Sequence, residues 1–186
     1  MFGKNKYKKM TDEVIRLNDG AIEAEKYRDV ENVLLMIDKA MELVCQIKPY
    51  QLLNWIVEFN YTRYHHLYEQ YPDKQLCLKR YGILRNIARY DMTPEGFEQI
   101  KDMYGDILIN MMVLSVDEKK DIIFNECFNE IFELLQNNVF SREREKSLYI
   151  SASGMTASYY IRQGNYAVAI RYGSNVLDET EFDEII

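Results

Sequence analysis

The chain has 186 residues, 47% of them hydrophobic and 28% charged, with a formal net charge of −7. That balance fits one globular domain and excludes disorder, since a chain of this size buries about 70% of its unfolded surface. The acidic excess also argues against general attraction to nucleic-acid phosphates or anionic lipid, and no apolar run approaches the roughly 20 residues of a membrane span.

Residues 1–10 are basic but lead into Thr11-Asp12-Glu13 rather than an apolar segment, so they read as a flexible arm and not as a signal peptide. Helical patterns follow at 11–26 and 29–47, the second carrying an apolar stripe of Val33, Ile37, Ala40 and Val44. Pro49 and Pro72 bracket a helix expected over 51–70, and another is expected over 73–90. Thr93, Pro94 and Glu95 have the residue types of an N-cap, a first-turn proline and a first-turn acid, which opens a helix over 94–114. Within it, Ile107 to Leu114 is apolar almost all round. A buried strand is the competing reading, but no partner with period-two alternation exists, so a buried helix is expected.

Ser115 and Glu118 have the spacing of a capping box for a helix at 117–137, where Phe124, Phe128, Ile131 and Leu135 share a face. Gln136-Asn137-Asn138 marks its exit. The last two helices, 142–162 and 165–179, meet at Gln163-Gly164-Asn165. Residues 178–186 carry five acids and no base, so 181–186 reads as an acidic tail beyond a single helical domain at 11–180. The expected fold class is therefore all-α, with about eight helices in antiparallel hairpins. The hairpins begin near residues 11, 51, 94 and 142, an approximate repeat that suggests a stacked solenoid. Cys45, Cys77 and Cys127 are too few and too scattered for a disulfide framework and read as free buried thiols of a reducing cytoplasm.

In the last hairpin, Ala157, Tyr160, Gly164, Tyr166, Ala169 and Ile170 fall at the spacing of the tetratricopeptide repeat signature, which the chain thus resembles. Small residues would let the two helices approach, Gly164 would make the turn, and the tyrosines would fill the gap between layers. Gly173 and Val176 depart from the pattern, which prefers an aromatic and an alanine there. A fainter version at Ala21, Ala24, Val30, Val33, Ile37 and Ala40 lacks the turn glycine and the tyrosines. The resemblance implies a tetratricopeptide-like superhelix with a groove that binds proteins or peptides. Peptide-sensing regulators of that family carry an N-terminal helix-turn-helix; none is evident here, so direct DNA regulation is not expected.

Catalytic and metal signatures are absent. His65 and His66 are adjacent and project about 100° apart on a helix, so they do not share a metal readily. No phosphate-binding loop, dinucleotide-binding glycine pattern or nucleophile elbow occurs, and no cofactor is expected. Glu126, Glu130 and Glu133 share one helical face and read as solvated. The most suggestive feature is aromatic: Tyr61, Tyr64, Tyr68 and Tyr71 recur at steps of three, four and three, with Asn60 and Arg63 beside them. Such a stripe either packs against a neighbouring helix or lines a groove that grips a partner. Arg85 and Arg89, four residues apart, either clamp a carboxylate or phosphate or pair within the chain. These eight residues are the candidate binding site of a non-catalytic adaptor or regulator whose partner is a protein or peptide. Its class alternative is a small acidic inhibitor of a basic, nucleic-acid-handling enzyme. Self-association is left open by the charge asymmetry of the two ends.

Overall fold

The computed structural model describes residues 2–47, 52–68 and 73–177. Pro49, Tyr71, Pro72 and the acidic tail lie outside the described residues. Within them the chain forms eight α-helices and no strand: α1 (Phe2–Lys26), α2 (Val30–Val44), α3 (Leu52–Leu67), α4 (Lys74–Asn86), α5 (Pro94–Asp117), α6 (Asp121–Gln136), α7 (Arg142–Arg162) and α8 (Tyr166–Leu177). A π-helical turn, Ile87–Asp91, follows α4. The fold is all-α and built of helical hairpins. No helix among the described residues is long and apolar enough to cross a membrane. The chain divides into two compact units, Met1–Leu84 and Arg85–Ile186.

In the first unit, α1 and α2 form a hairpin and α3 packs on α2. The expected stripe of Val33, Ile37, Ala40 and Val44 faces Val14, Leu17 and Ala21 of α1, and all seven are buried. Helix α1 starts earlier than the apolar pattern alone places it. Met10 packs against the same core, so the helix keeps burying surface ahead of residue 11. Asp29 caps α2 by accepting the Asn32 N–H at 3.4 Å. At the other end, the buried Asn54 of α3 donates from Nδ2 to the carbonyls of Val44 at 3.1 Å and Ile47 at 3.5 Å. It thereby satisfies carbonyls that the end of a helix leaves without partners.

The second unit packs α5, α6 and α7 on one another and α8 on α7. Thr93 caps α5 as expected, its hydroxyl accepting the Gly96 N–H at 3.2 Å, with Pro94 in the first turn. Ile107 to Leu114 is helical. The capping box expected at Ser115 does not form, because α5 continues through Asp117 and Ser115 is buried inside its last turn. Val116, buried like Leu114 before it, extends the apolar face past the point where the polar residues suggested a stop. Arg144 donates to the Asp102 carbonyl and to Asp106, both at 2.6 Å, and Arg162 donates to the Val116 carbonyl at 3.1 Å and Asp117 at 3.0 Å. These contacts run in the same order along both helices, so α5 and α7 lie parallel. A Cβ at Gly105 would stand 2.9 Å from two Leu148 methyl carbons, which is how closely α5 and α7 approach.

Four reversals use one device. Arg28, Lys119, Asn138 and Gly164 have φ of 56°, 55°, 51° and 73°, each just past a helix end. After α7 the N–H of Asn165 bonds the Tyr160 carbonyl at 2.9 Å and that of Gly164 bonds Ile161 at 3.0 Å, a Schellman motif. Asp29 to Ala24 and Val139 to Leu134 repeat the longer bond at the other exits, as does Lys120 to Ser115. In the last hairpin, a Cβ at Gly173 would come within 4.0 Å of Ala157, and Tyr160 stacks on Tyr172. Tyr166, expected to fill a gap between layers, is instead 64% exposed, since no later described helix covers it.

A left-handed conformation at a residue with a Cβ costs roughly 1–2 kcal/mol, offset in part by the unfolded-state freedom of glycine. Lys119→Gly and Arg28→Gly should each stabilise the chain by up to about 1 kcal/mol, while Gly164→Ala should destabilise it; urea denaturation of the three variants checks the signs.

Candidate binding pocket

The tyrosine stripe of α3 straddles the edge of the first unit's core. Tyr64 is fully buried, and its hydroxyl donates to Glu25 of α1 at 3.1 Å. Burial, reinforced by the Glu25 charge, raises its pKa. Arg63 donates to both oxygens of the same carboxylate, at 3.1 and 3.3 Å. Asn60, also buried, donates to Asn18 at 2.8 Å. Tyr68, partly buried, stacks on Tyr64 with ring centres 6.3 Å apart. Asn60, Arg63 and Tyr64 thus spend their polar groups on α1. Tyr61 is different: partly buried at the rim of the core, it walls an open cavity.

That cavity, about 570 Å³ and mostly apolar, lies within the first unit among α2, α3 and α4. Its size is in the range of ligand sites, roughly 300–1,000 Å³. Tyr61, Met41 and Leu76 supply apolar surface. The guanidinium of Arg80 sits over the Tyr61 ring at 5.0 Å, a favourable cation–π arrangement. His65 also lies near that ring, 4.3 Å away centre to centre, and its Nε2 is 2.8 Å from Asp38 Oδ1. Glu42 and Asp73 add two exposed carboxylates, the latter capping α4 by accepting the Leu76 N–H at 2.9 Å. Three of the walls follow helical spacing. Asp38, Met41, Glu42 and Cys45 recur at i, i+3, i+4 and i+7 on α2 and just past its end; Asp73, Leu76, Cys77 and Arg80 repeat those intervals along α4; Tyr61 and His65 are four apart on α3. The signal was present in the sequence as mixed-polarity stripes beside the apolar ones, and the tyrosine pattern picked out only one of the three.

The same cavity gathers two thiols with His65 and Asp38, the residue types of nucleophilic catalysis. Burial and the nearby Asp73 push the Cys77 thiol up to about 11, the reverse of what an activated nucleophile needs. Cys45, expected to be buried, is exposed at the end of α2. Among the described residues no group of His, Cys, Asp and Glu is arranged to hold a metal ion.

Arg85 and Arg89 belong to the second unit and both reach α6, Arg85 turned inward and Arg89 half-exposed. Arg85 reaches Glu130 with Nε at 2.8 Å and a second nitrogen at 2.6 Å, and Glu126 at 2.9 Å. Although burial works against its charge, the hydrogen bonds to Glu126 and Glu130 hold its pKa above the usual value. Arg89 lies 3.4 Å from Glu130, and the Tyr104 hydroxyl donates to that carboxylate too. Glu130, expected on a solvated face, is 11% exposed because α4, the π-turn and α5 bring three donors over it. A second cavity of about 370 Å³ lies beside this cluster. The structure therefore places Tyr61 in one cavity, Arg89 at another, and Asn60, Arg63, Tyr64 and Arg85 in contacts within the fold.

No family model matches the chain, and none of the curated proteins or solved structures compared with it matches either.

Two expectations follow from these environments. Removing one member of a buried ion pair leaves the other uncompensated, so Glu130→Ala should cost about 3 kcal/mol; Arg89→Ala, on a half-exposed arginine, should cost less than about 1 kcal/mol. Denaturant titration of both variants decides. The buried Cys127, pushed up to about 12 mainly by burial, favours the folded state only while its thiol is protonated. Its contribution is complete below its ordinary value of 9.0 and is lost as pH rises towards 12. Stability measured from pH 8 upward should thus fall less steeply in Cys127→Ala than in the wild type.

Proposed function

We propose that the chain is a non-catalytic binding module, an adaptor or regulator whose first unit takes a segment of a partner protein or peptide into the cavity beside Tyr61. The observation that carries this reading is the cavity itself: an open, largely apolar space walled by an aromatic ring, two aliphatic side chains and a few oriented polar groups. Concave sites of that composition are how proteins hold ligands. The reading keeps Tyr61 from the tyrosine stripe and exchanges its companions for Met41, Leu76, Arg80 and the His65–Asp38 pair. A protein or peptide suits the site better than nucleic acid, since the net charge is −7 and two of the basic side chains, Arg63 and Arg85, are committed to carboxylates within the fold. Three free thiols fit a reducing compartment such as the cytoplasm. The tetratricopeptide resemblance supports the same class of function through the hairpin architecture.

Peptides selected by display against the wild-type chain should lose about tenfold or more in affinity against Tyr61→Ala, the size expected for removing a central aromatic contact. Tyr64→Phe, which alters only a hydroxyl bonded to Glu25, should leave binding unchanged. Equal binding to all three proteins would place recognition elsewhere.

A further inference from the structure

The charges around the Tyr61 cavity do not cancel. Three carboxylates, Asp38, Glu42 and Asp73, face one guanidinium, Arg80, together with His65. Arg80 lies over the Tyr61 ring with its Nε buried and without a hydrogen-bond partner, and its charge acts on Glu58, whose carboxyl burial pushes upward. Asp38 shares an oxygen with His65 yet keeps a side chain 38% exposed. Asp73 uses one oxygen on the Leu76 N–H and is otherwise open to solvent. Glu42 is exposed and makes no ion pair among the described residues. The cavity therefore has an apolar interior and an acidic mouth whose charge the chain itself leaves unbalanced.

Resting on the binding function proposed above, we infer that the occupant is a basic segment of a partner protein, which lays a lysine or arginine side chain along Tyr61, Met41 and Leu76 and delivers its cation to Glu42, Asp73 and Asp38. Long basic side chains are built for such a site, because their methylene stems cover apolar surface while the charged head stays at the polar edge. An acidic segment would have to bring its carboxylates past three others to reach the single guanidinium. Like charges at close range penalise the wrong partner, so the mouth selects against acidic ligands as well as for basic ones. The cavity volume leaves room for neighbours of the basic residue, and the attraction is of the exposed kind that salt screens.

The test uses the full chain and labelled hexapeptides of Ser and Gly with one central residue, which is Lys, Arg, norleucine or Glu. Three proteins are compared by fluorescence polarisation at low and high salt: wild type, Glu42→Gln/Asp73→Asn, and Tyr61→Ala. Asparagine at position 73 retains the capping oxygen, and circular dichroism verifies the fold of each variant. The Lys and Arg peptides should bind the wild type best and weaken with salt. They should lose about tenfold on Glu42→Gln/Asp73→Asn, which is what two exposed ion pairs together supply. The norleucine peptide should bind both proteins equally. If the norleucine or Glu peptide binds the wild type as tightly as the Lys peptide, or if the charge-neutral variant binds Lys unchanged, the basic occupant is wrong. When such binding still depends on Tyr61, the cavity remains the binding site. If no peptide responds to Tyr61→Ala, the binding reading fails and this inference fails with it.

Discussion

A helix that stops leaves its last carbonyls without N–H partners, and this chain stops a helix and turns back after only a few residues at four places. It meets that constraint by placing one residue in the left-handed region, so that the following N–H groups bond back into the last turn. Only one of the four residues is a glycine; Arg28, Lys119 and Asn138 carry the steric cost of a Cβ there. Apolar burial along the hairpins offsets that cost, as between the α2 stripe and Val14, Leu17 and Ala21. The reversals in turn set which faces of adjacent helices meet. Where side chains are needed to complete the accounting, Asn54 reaches the carbonyls at the end of α2 and Arg162 reaches one at the end of α5.

Each unit then fastens a helix with the same chemistry. In the first, Glu25 receives Arg63 and the Tyr64 hydroxyl; in the second, Glu130 receives Arg85, Arg89 and the Tyr104 hydroxyl. A carboxylate has enough lone pairs for several donors, and a guanidinium matches it with two parallel bonds. Taking such a group from water is costly unless its acceptor sites are filled. Both carboxylates meet that condition with an arginine and a tyrosine far away in sequence. The tyrosine does two jobs, since its ring packs in the core and its hydroxyl reaches the carboxylate.

These long-range pairings mark where sequence reasoning runs out. The helices were legible because proline, glycine and apolar periodicity act locally. Thr93-Pro94 opens α5 as its residue types imply, and the Gly164 turn lies where the pattern puts it. Ser115 misled because a serine three residues before a glutamate looks the same inside a helix as at its start; the buried Leu114 and Val116 decide which it is. The site was legible only in part. Tyr61, Tyr64 and Tyr68 are equivalent as a spacing pattern, and nothing local says that Glu25, some forty positions earlier, will claim Tyr64 and leave Tyr61 at an opening. Glu130 reads as one of three surface acids until α4 and α5 deliver their donors to it.

The two cavities differ in the way that matters for binding. Beside Glu130, acid and base stand in close pairs, so a ligand arriving there would have to break contacts that the fold already uses. Beside Tyr61, one guanidinium lies over the ring while Glu42 and Asp73 point charge at solvent. Leaving carboxylates clustered at a cavity mouth raises the energy of the free protein slightly through mutual repulsion. A cation that enters relieves that repulsion in addition to the attraction it feels. Surface charge that the fold does not need, held over apolar surface that the fold does not cover, is where a partner would gain on both terms.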